Sequence, residues 1–234
     1  SSTPRGRILV AGDWKLTRAE SGSSRGFVLP RRSTPSGNLT MALESHPSAS
    51  YSFLPAGGTF SDGVLAHRGY ECVRVTLKRE LRWDEGLSSA FAWLKKQSLQ
   101  PEAMCGVELR CSQPMSVEDF GAFNADYAKF LDENGIRLDG RNPMTRTHVA
   151  PCLNPPDGIA LHAFTFVRQG ETADSQFVLS GAGEVKGRSL SPENIVRFRE
   201  TTEDAMVEKA QCVTDILEQR LGKLGYTWEW LDDG

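Results

Sequence analysis

Arg146 and His148 stand two residues apart in Thr145-Arg146-Thr147-His148-Val149. On a strand, that spacing sends both side chains to one face. An arginine there can hold a carboxylate through two parallel hydrogen bonds, which fix orientation as well as charge. A histidine on the same face can move a proton near neutral pH. The pair suits a reaction on a small carboxylic acid in which a proton changes place. Each residue also has a structural alternative: an ion pair to an aspartate for Arg146, and a hydrogen-bonded structural position for His148.

Other chemistries lack their residues. No GxxxxGK[ST] or HExxH sequence occurs in the chain. Gly181-Ala182-Gly183-Glu184-Val185-Lys186-Gly187 lies between a predicted strand and a predicted helix. Ser189, Leu190, Ser191 and Pro192 intervene and no further strand follows, so a dinucleotide loop is disfavoured. The cysteines Cys72, Cys105, Cys111, Cys152 and Cys212 are odd in number and contain no CxxC pair. They read as free thiols of a reducing cytoplasm, with no metal site. The 234 residues carry a net charge of -3, from 27 Lys and Arg against 30 Asp and Glu. That balance lacks the basic footprint of a nucleic-acid partner. No apolar run approaches the roughly 20 residues that cross a bilayer, so no membrane partner is expected.

The elements that would position these residues read as follows. Residues 1–65 form an irregular arm rich in Ser, Gly, Pro and Arg. Its strand candidates are Arg7–Val10, Gly26–Leu29, Leu39–Leu43 and Tyr51–Leu54. Residues 66–169 sharpen. Val73, Val75 and Leu77 alternate with Arg74, Thr76 and Lys78 on a half-buried strand. Asp84 opens a helix whose apolar face is Leu87, Ala90, Phe91 and Leu94. Cys105, Val107, Leu109 and Cys111 share one side of the next strand. Ser116 and Asp119 make a capping-box-like start to a second helix bearing Phe120, Phe123, Tyr127, Phe130 and Leu131, with Asn124 at the border of the stripe. Strands over Thr145–Leu153 and Gly158–Val167 complete a β-α-β-α-β-β unit. Residues 170–234 add a strand at Gln176–Leu179 and a long helix predicted from Ser191-Pro192-Glu193 to Gly225. They read as a second unit that stops after its first helix.

Val107 to Arg110 and Asp119-Phe120-Gly121-Ala122-Phe123-Asn124-Ala125-Asp126-Tyr127-Ala128-Lys129-Phe130, followed by Pro143-Met144-Thr145-Arg146, resemble the Rid family of imine and enamine deaminases. Gln176 to Gly181 and Glu208 to Gly225 resemble the front half of such a domain. The resemblance implies an α+β fold of chorismate-mutase-like (Rid-type) kind, with a mixed sheet packed by helices. It also implies a trimer or another homo-oligomer, and no cofactor. It puts the carboxylate-binding arginine at Arg146, a site-lining residue at His148, the helix asparagine at Asn124 and a hydroxyl at Ser180. The glutamate that such deaminases usually carry on the last strand is missing from Ile159-Ala160-Leu161-His162-Ala163-Phe164. His162 is the nearest titratable group there.

The resulting expectation is a cytoplasmic deaminase. It would hydrolyse a small enamine or imine acid, aminomuconate-like or 2-aminoacrylate-like, to a keto acid and ammonia. Arg146, Asn124 and Ser180 would bind, and His148 or His162 would handle the proton. The alternatives are a chorismatase-like hydrolase on a tandem scaffold of this kind and a non-catalytic ligand-binding or assembly protein. The missing glutamate and the incomplete second unit favour the last.

Overall fold

The computed structural model describes residues 42–171, 175–187 and 190–228, together with the backbone of a strand at Trp14–Arg18. It is an α+β protein, with two sheets and three helices among the described residues. In chain order the strands are β1 (Trp14–Arg18), β2 (Glu44–Ser45), β3 (Tyr51–Pro55), β4 (Ser61–Ala66), β5 (Tyr70–Arg82), β6 (Met104–Arg110), β7 (Thr145–Val149), β8 (Ala160–Gln169) and β9 (Phe177–Leu179). The helices are α1 (Trp83–Lys96), α2 (Val117–Glu133) and α3 (Glu203–Leu224). The first sheet runs β1-β5-β8-β6-β7 and the second β2-β3-β4-β9. All neighbours pair antiparallel except β6 and β7, which are parallel.

The periodicities place the core. Leu87, Ala90, Phe91 and Leu94 of α1 and Phe123, Tyr127 and Leu131 of α2 pack on Val73, Val75 and Leu77 of β5. Val107, Leu109, Leu161, Phe164 and Phe166 join the same cluster. Tyr51, Phe53, Val64 and Ala66 of the second sheet pack on Cys72, Cys105 and Val167 of the first. Cys105 thus sits in a different cluster from Val107 and Leu109. The β6–β8 register steps from Met104/Phe166 to Gly106/Thr165 without a partner for Cys105. Such a bulge turns one residue out of the alternation that the sequence suggests.

Both long helices after α1 are set by their caps. Ser116 Oγ accepts a hydrogen bond from the Asp119 amide at 3.0 Å and opens α2. Gly135, at φ +68, takes the left-handed turn beyond its end. The predicted helix start at Ser191 is corrected: Pro192–Asn194 make only a 3-10 turn. The Thr202 hydroxyl accepts from the Ala205 amide and begins α3 eleven residues later. Asp84 likewise lies in the first turn of α1 and does not cap it. Of the arm's strand candidates, Tyr51–Leu54 is β3. Arg7–Val10, Gly26–Leu29 and most of Leu39–Leu43 lie outside the described residues. The strands β1 and β4 were not read from the sequence.

The chain after residue 175 returns to the second sheet. β9 pairs with β4, matching Gly63 with Leu179 and Leu65 with Phe177. On the far side, α3 buries Leu221 and Leu224. Among the described residues, no helix is long and apolar enough to cross a membrane.

The contact of α1 with β8 is close enough to test. A Cβ on Gly86 would lie 2.6 Å from Leu161 Cβ, inside van der Waals distance. Overpacking of this kind costs about 1–3 kcal/mol, and the roughly 1 kcal/mol of helix propensity that alanine brings does not offset it. Gly86→Ala should therefore lower the urea midpoint of unfolding. An unchanged or raised midpoint would show that the helix slides freely over Leu161.

Candidate active site

Arg146 and His148 do share a face of β7, the face that looks under α2. Arg146 is only 5% exposed. Its guanidinium carbon lies 5.0 Å from the ring centre of Tyr127, 5.5 Å from Phe123, and 5.6 Å from Phe120 and Phe60. These electron-rich faces stabilise the cation without neutralising it. Nη2 donates to Asn124 Oδ1 at 2.8 Å. Nη1 is buried and finds no hydrogen-bond partner among the described residues. Burial pulls the guanidinium pKa below its ordinary value, and Tyr127 partly opposes that shift. Burial also pushes the Tyr127 phenol up to about 12. The phenol stays neutral, so it is not a counter-ion for Arg146.

The spacing of α2 explains the arrangement. Phe120, Phe123, Asn124 and Tyr127 fall at i, i+3, i+4 and i+7, so one helical face presents three rings and an amide to the strand below. The backbone of β7 is fixed on both sides. It pairs with β6 in register, Val107 opposite Arg146. On its other edge the Arg146 amide donates to Ser180 Oγ at 2.9 Å, and the Gly181 amide donates to the Arg146 carbonyl at 3.2 Å.

A cavity of about 940 Å³ opens over this face. Arg146, His148 and Asn124 line it together with Phe60, Asp62 and Phe120. A second wall comes from later in the sequence: residues 181–185, and Gln219, Arg220 and Lys223 of α3. Arg220 ties the two walls together. Its Nη1 donates to the Ser180 carbonyl at 2.9 Å and the Gly181 carbonyl at 3.0 Å. Its Nη2 pairs with Asp62 Oδ1 at 2.8 Å. Glu184 is paired with Lys209 of α3 at 3.1 Å.

Five residues were singled out from the sequence, and three line the cavity. Ser180 does not. It is 1% exposed, and its hydroxyl accepts from the Arg146 amide and donates to the Ser61 carbonyl at 2.5 Å. Its hydrogen bonds hold β7 in place. His162 lies elsewhere too. The β6–β8 register pairs Glu108 with Ala163 and Leu109 with Leu161, so His162 falls in a bulge. Its Nδ1 is 2.9 Å from Glu80 Oε1, which also pairs with Arg110. The sequence reading missed Phe60, Asp62, Arg220 and Lys223. Only the 3–4 spacing of Ile216, Gln219, Arg220 and Lys223 could have signalled a common face. Among the described residues no group of His, Cys, Asp and Glu is placed to hold a metal ion.

A family model described as "2-aminomuconate deaminase CnbZ" matches residues 43–233. The chain belongs to this family of deaminases. It is 30% identical over 181 residues to the 2-amino-5-chloromuconate deaminase of Comamonas testosteroni, an alignment that covers 76% of this chain and 72% of that one. No solved structure matches it. The expectation of a deaminase of aminomuconate-like kind is therefore met at the level of the family.

His148 is in an unusual state. Both ring nitrogens are buried without hydrogen-bond partners among the described residues. The ring lies 5.2 Å from that of Phe123 and 5.9 Å from that of Phe120. Burial, and secondarily the Arg146 charge, lower its pKa from 6.5 to about 4. As pH falls, the unfolded chain takes up this proton before the folded one does. The stability held in the neutral imidazole is complete above about pH 6.5 and is lost between about 6.5 and 4. Urea unfolding followed across that window should show a fall in stability that is reduced in His148→Phe. An identical pH profile in the variant would remove His148 from the account.

Proposed function

We propose that the protein hydrolyses an aminomuconate-like enamine acid to the corresponding keto acid and ammonia, in the cavity over β7. The observation that carries this reading is the buried guanidinium of Arg146, with one arm held by Asn124 and the other free. A buried cation without an anion is destabilising. A planar carboxylate entering from the cavity can meet the free arm and supply the missing charge.

In this reading Arg146 holds the carboxylate bonded to the reacting carbon. Protonation of the enamine at carbon, with loss of one N–H proton to solvent, gives the neutral imine. Water adds to the C=N carbon, forming the C–O bond as the C=N electrons pass to nitrogen. The C–N bond then breaks, nitrogen leaves as ammonia, and a C=O remains. Both protons that nitrogen gains relative to the imine's single hydrogen come from the water. The ring faces of Phe60, Phe120 and Phe123 limit solvent around the guanidinium and strengthen its grip on the carboxylate.

His148 is neutral at working pH, so it serves as a hydrogen-bond partner of the attacking water or the departing ammonia, and not as a standing acid. A carboxylate on Arg146 cancels the second cause of its low pKa. The imidazole becomes a better proton acceptor once substrate is bound.

The same proposal takes 66–169 as a Rid-like unit. The succession β5-α1-β6-α2-β7-β8 and the meeting of Asn124 with Arg146 support it. With it come hydrolysis without a cofactor and a homo-oligomer, expected as a trimer, in the cytoplasm.

The test separates stability from activity. Arg146→Met keeps the bulk of the side chain and removes a buried charge, an exchange that is often neutral or stabilising. The variant should unfold at the wild-type urea concentration or above. Its kcat/KM for ammonia release from 2-aminomuconate should fall by about 100-fold, as expected for lost hydrogen bonds to a charged group. Wild-type turnover in a stably folded Arg146→Met would sink the reading.

A further inference from the structure

The charges on the cavity wall do not balance, and the remainder has a pattern. Besides the neutral His148, the ionisable side chains among the described residues that line the cavity are Asp62, Glu184, Arg146, Arg220 and Lys223. Asp62 is neutralised by Arg220 at 2.8 Å. Glu184 is neutralised by Lys209 at 3.1 Å, from behind the wall. Among the described residues two cations are left, Arg146 and Lys223, and neither makes an ion pair with a described residue.

These two line one cavity from different elements, β7 and α3. Arg146 is at the β7 wall with Phe60 against its guanidinium. Asp62 is two residues beyond Phe60 and holds Arg220. Lys223 follows Arg220 by three residues, less than one helical turn, and points along the same face of α3 as Ile216 and Gln219. Arg220 is committed to Asp62 and to the carbonyls of Ser180 and Gly181, so it has no arm to offer a ligand on the scale that Lys223 does. The surroundings of the two cations also differ. Arg146 is dry, planar and oriented by Asn124. Lys223 is exposed at the rim, on a flexible stem with three rotatable donors. The first suits the carboxylate that must be placed accurately, and the second suits one that only has to be held.

We propose that Lys223 binds the distal carboxylate of a linear dicarboxylic substrate while Arg146 binds the carboxylate beside the reacting carbon. Lys223 is then the residue that selects diacids over monoacids, and Arg220 with Asp62 positions it. The assignment of ends rests on the deaminase reading given above.

Two unreactive ligands isolate the second carboxylate. trans,trans-Muconate and sorbate share a six-carbon diene, and they differ in carrying two carboxylates or one. Both are titrated calorimetrically into the full chain and its variants. Lys223→Met should weaken muconate by about tenfold and leave sorbate within about twofold, since one charge-assisted contact is lost. Lys223→Arg should restore muconate binding. The advantage of muconate over sorbate should narrow as salt rises, because the rim is screened. Unchanged muconate affinity in Lys223→Met overturns the distal anchor, and so does an equal loss for both ligands. Arg146→Met should lose both ligands. If it keeps both, the carboxylate site itself is wrong, a result that the Lys223 variants cannot produce.

Discussion

An arginine buried to 5% exposure, with no carboxylate of a described residue paired with it, is the constraint around which the rest of the molecule is arranged. Taking such a charge out of water costs several kcal/mol even after relaxation. Ring faces on several sides, one amide oxygen and a rigid strand recover part of that cost. A built-in aspartate would recover more, but it would also occupy the position that an incoming anion needs. The fold therefore keeps its acids elsewhere. Asp62 is tied to Arg220 and Glu184 to Lys209, and neither reaches the free arm of Arg146. Stability is left unclaimed at one place so that a ligand can supply it.

This constraint also explains the hydroxyl of Ser180. An edge strand that carries a buried charge cannot be allowed to shift, and β7 is the edge of its sheet. Ser180 and Gly181 close that edge with two hydrogen bonds, and Arg220 closes the loop behind them. The residue that looked like a ligand contact is part of the frame.

Much of the site could be read before the fold was known, where local geometry alone decides it. The Phe120, Phe123, Tyr127 stripe and the shared face of Arg146 and His148 follow from the periods of a regular helix and a regular strand. The failures are equally physical. His162 sits where β8 bulges, so its direction depends on a skipped partner in β6 and not on its own neighbours. Pro192 is a fair helix-start signal, but it opens only a 3-10 turn, and Thr202 competes with a true cap. The far wall was illegible because it exists only once β9 has paired with β4, more than 100 residues away in sequence. No window on the chain contains both Phe60 and Lys223.

That long return has a consequence for how the molecule comes into being. The segment from β3 to β8, with Arg146 in it, emerges from the ribosome well before α3 does. Synthesis adds about 5–20 residues per second, so residues 181–223 follow Arg146 by seconds. Until those residues have been made, β7 lacks its partner at Gly181 and the cavity lacks its second wall. The cavity cannot be complete before α3 has been synthesised and has docked.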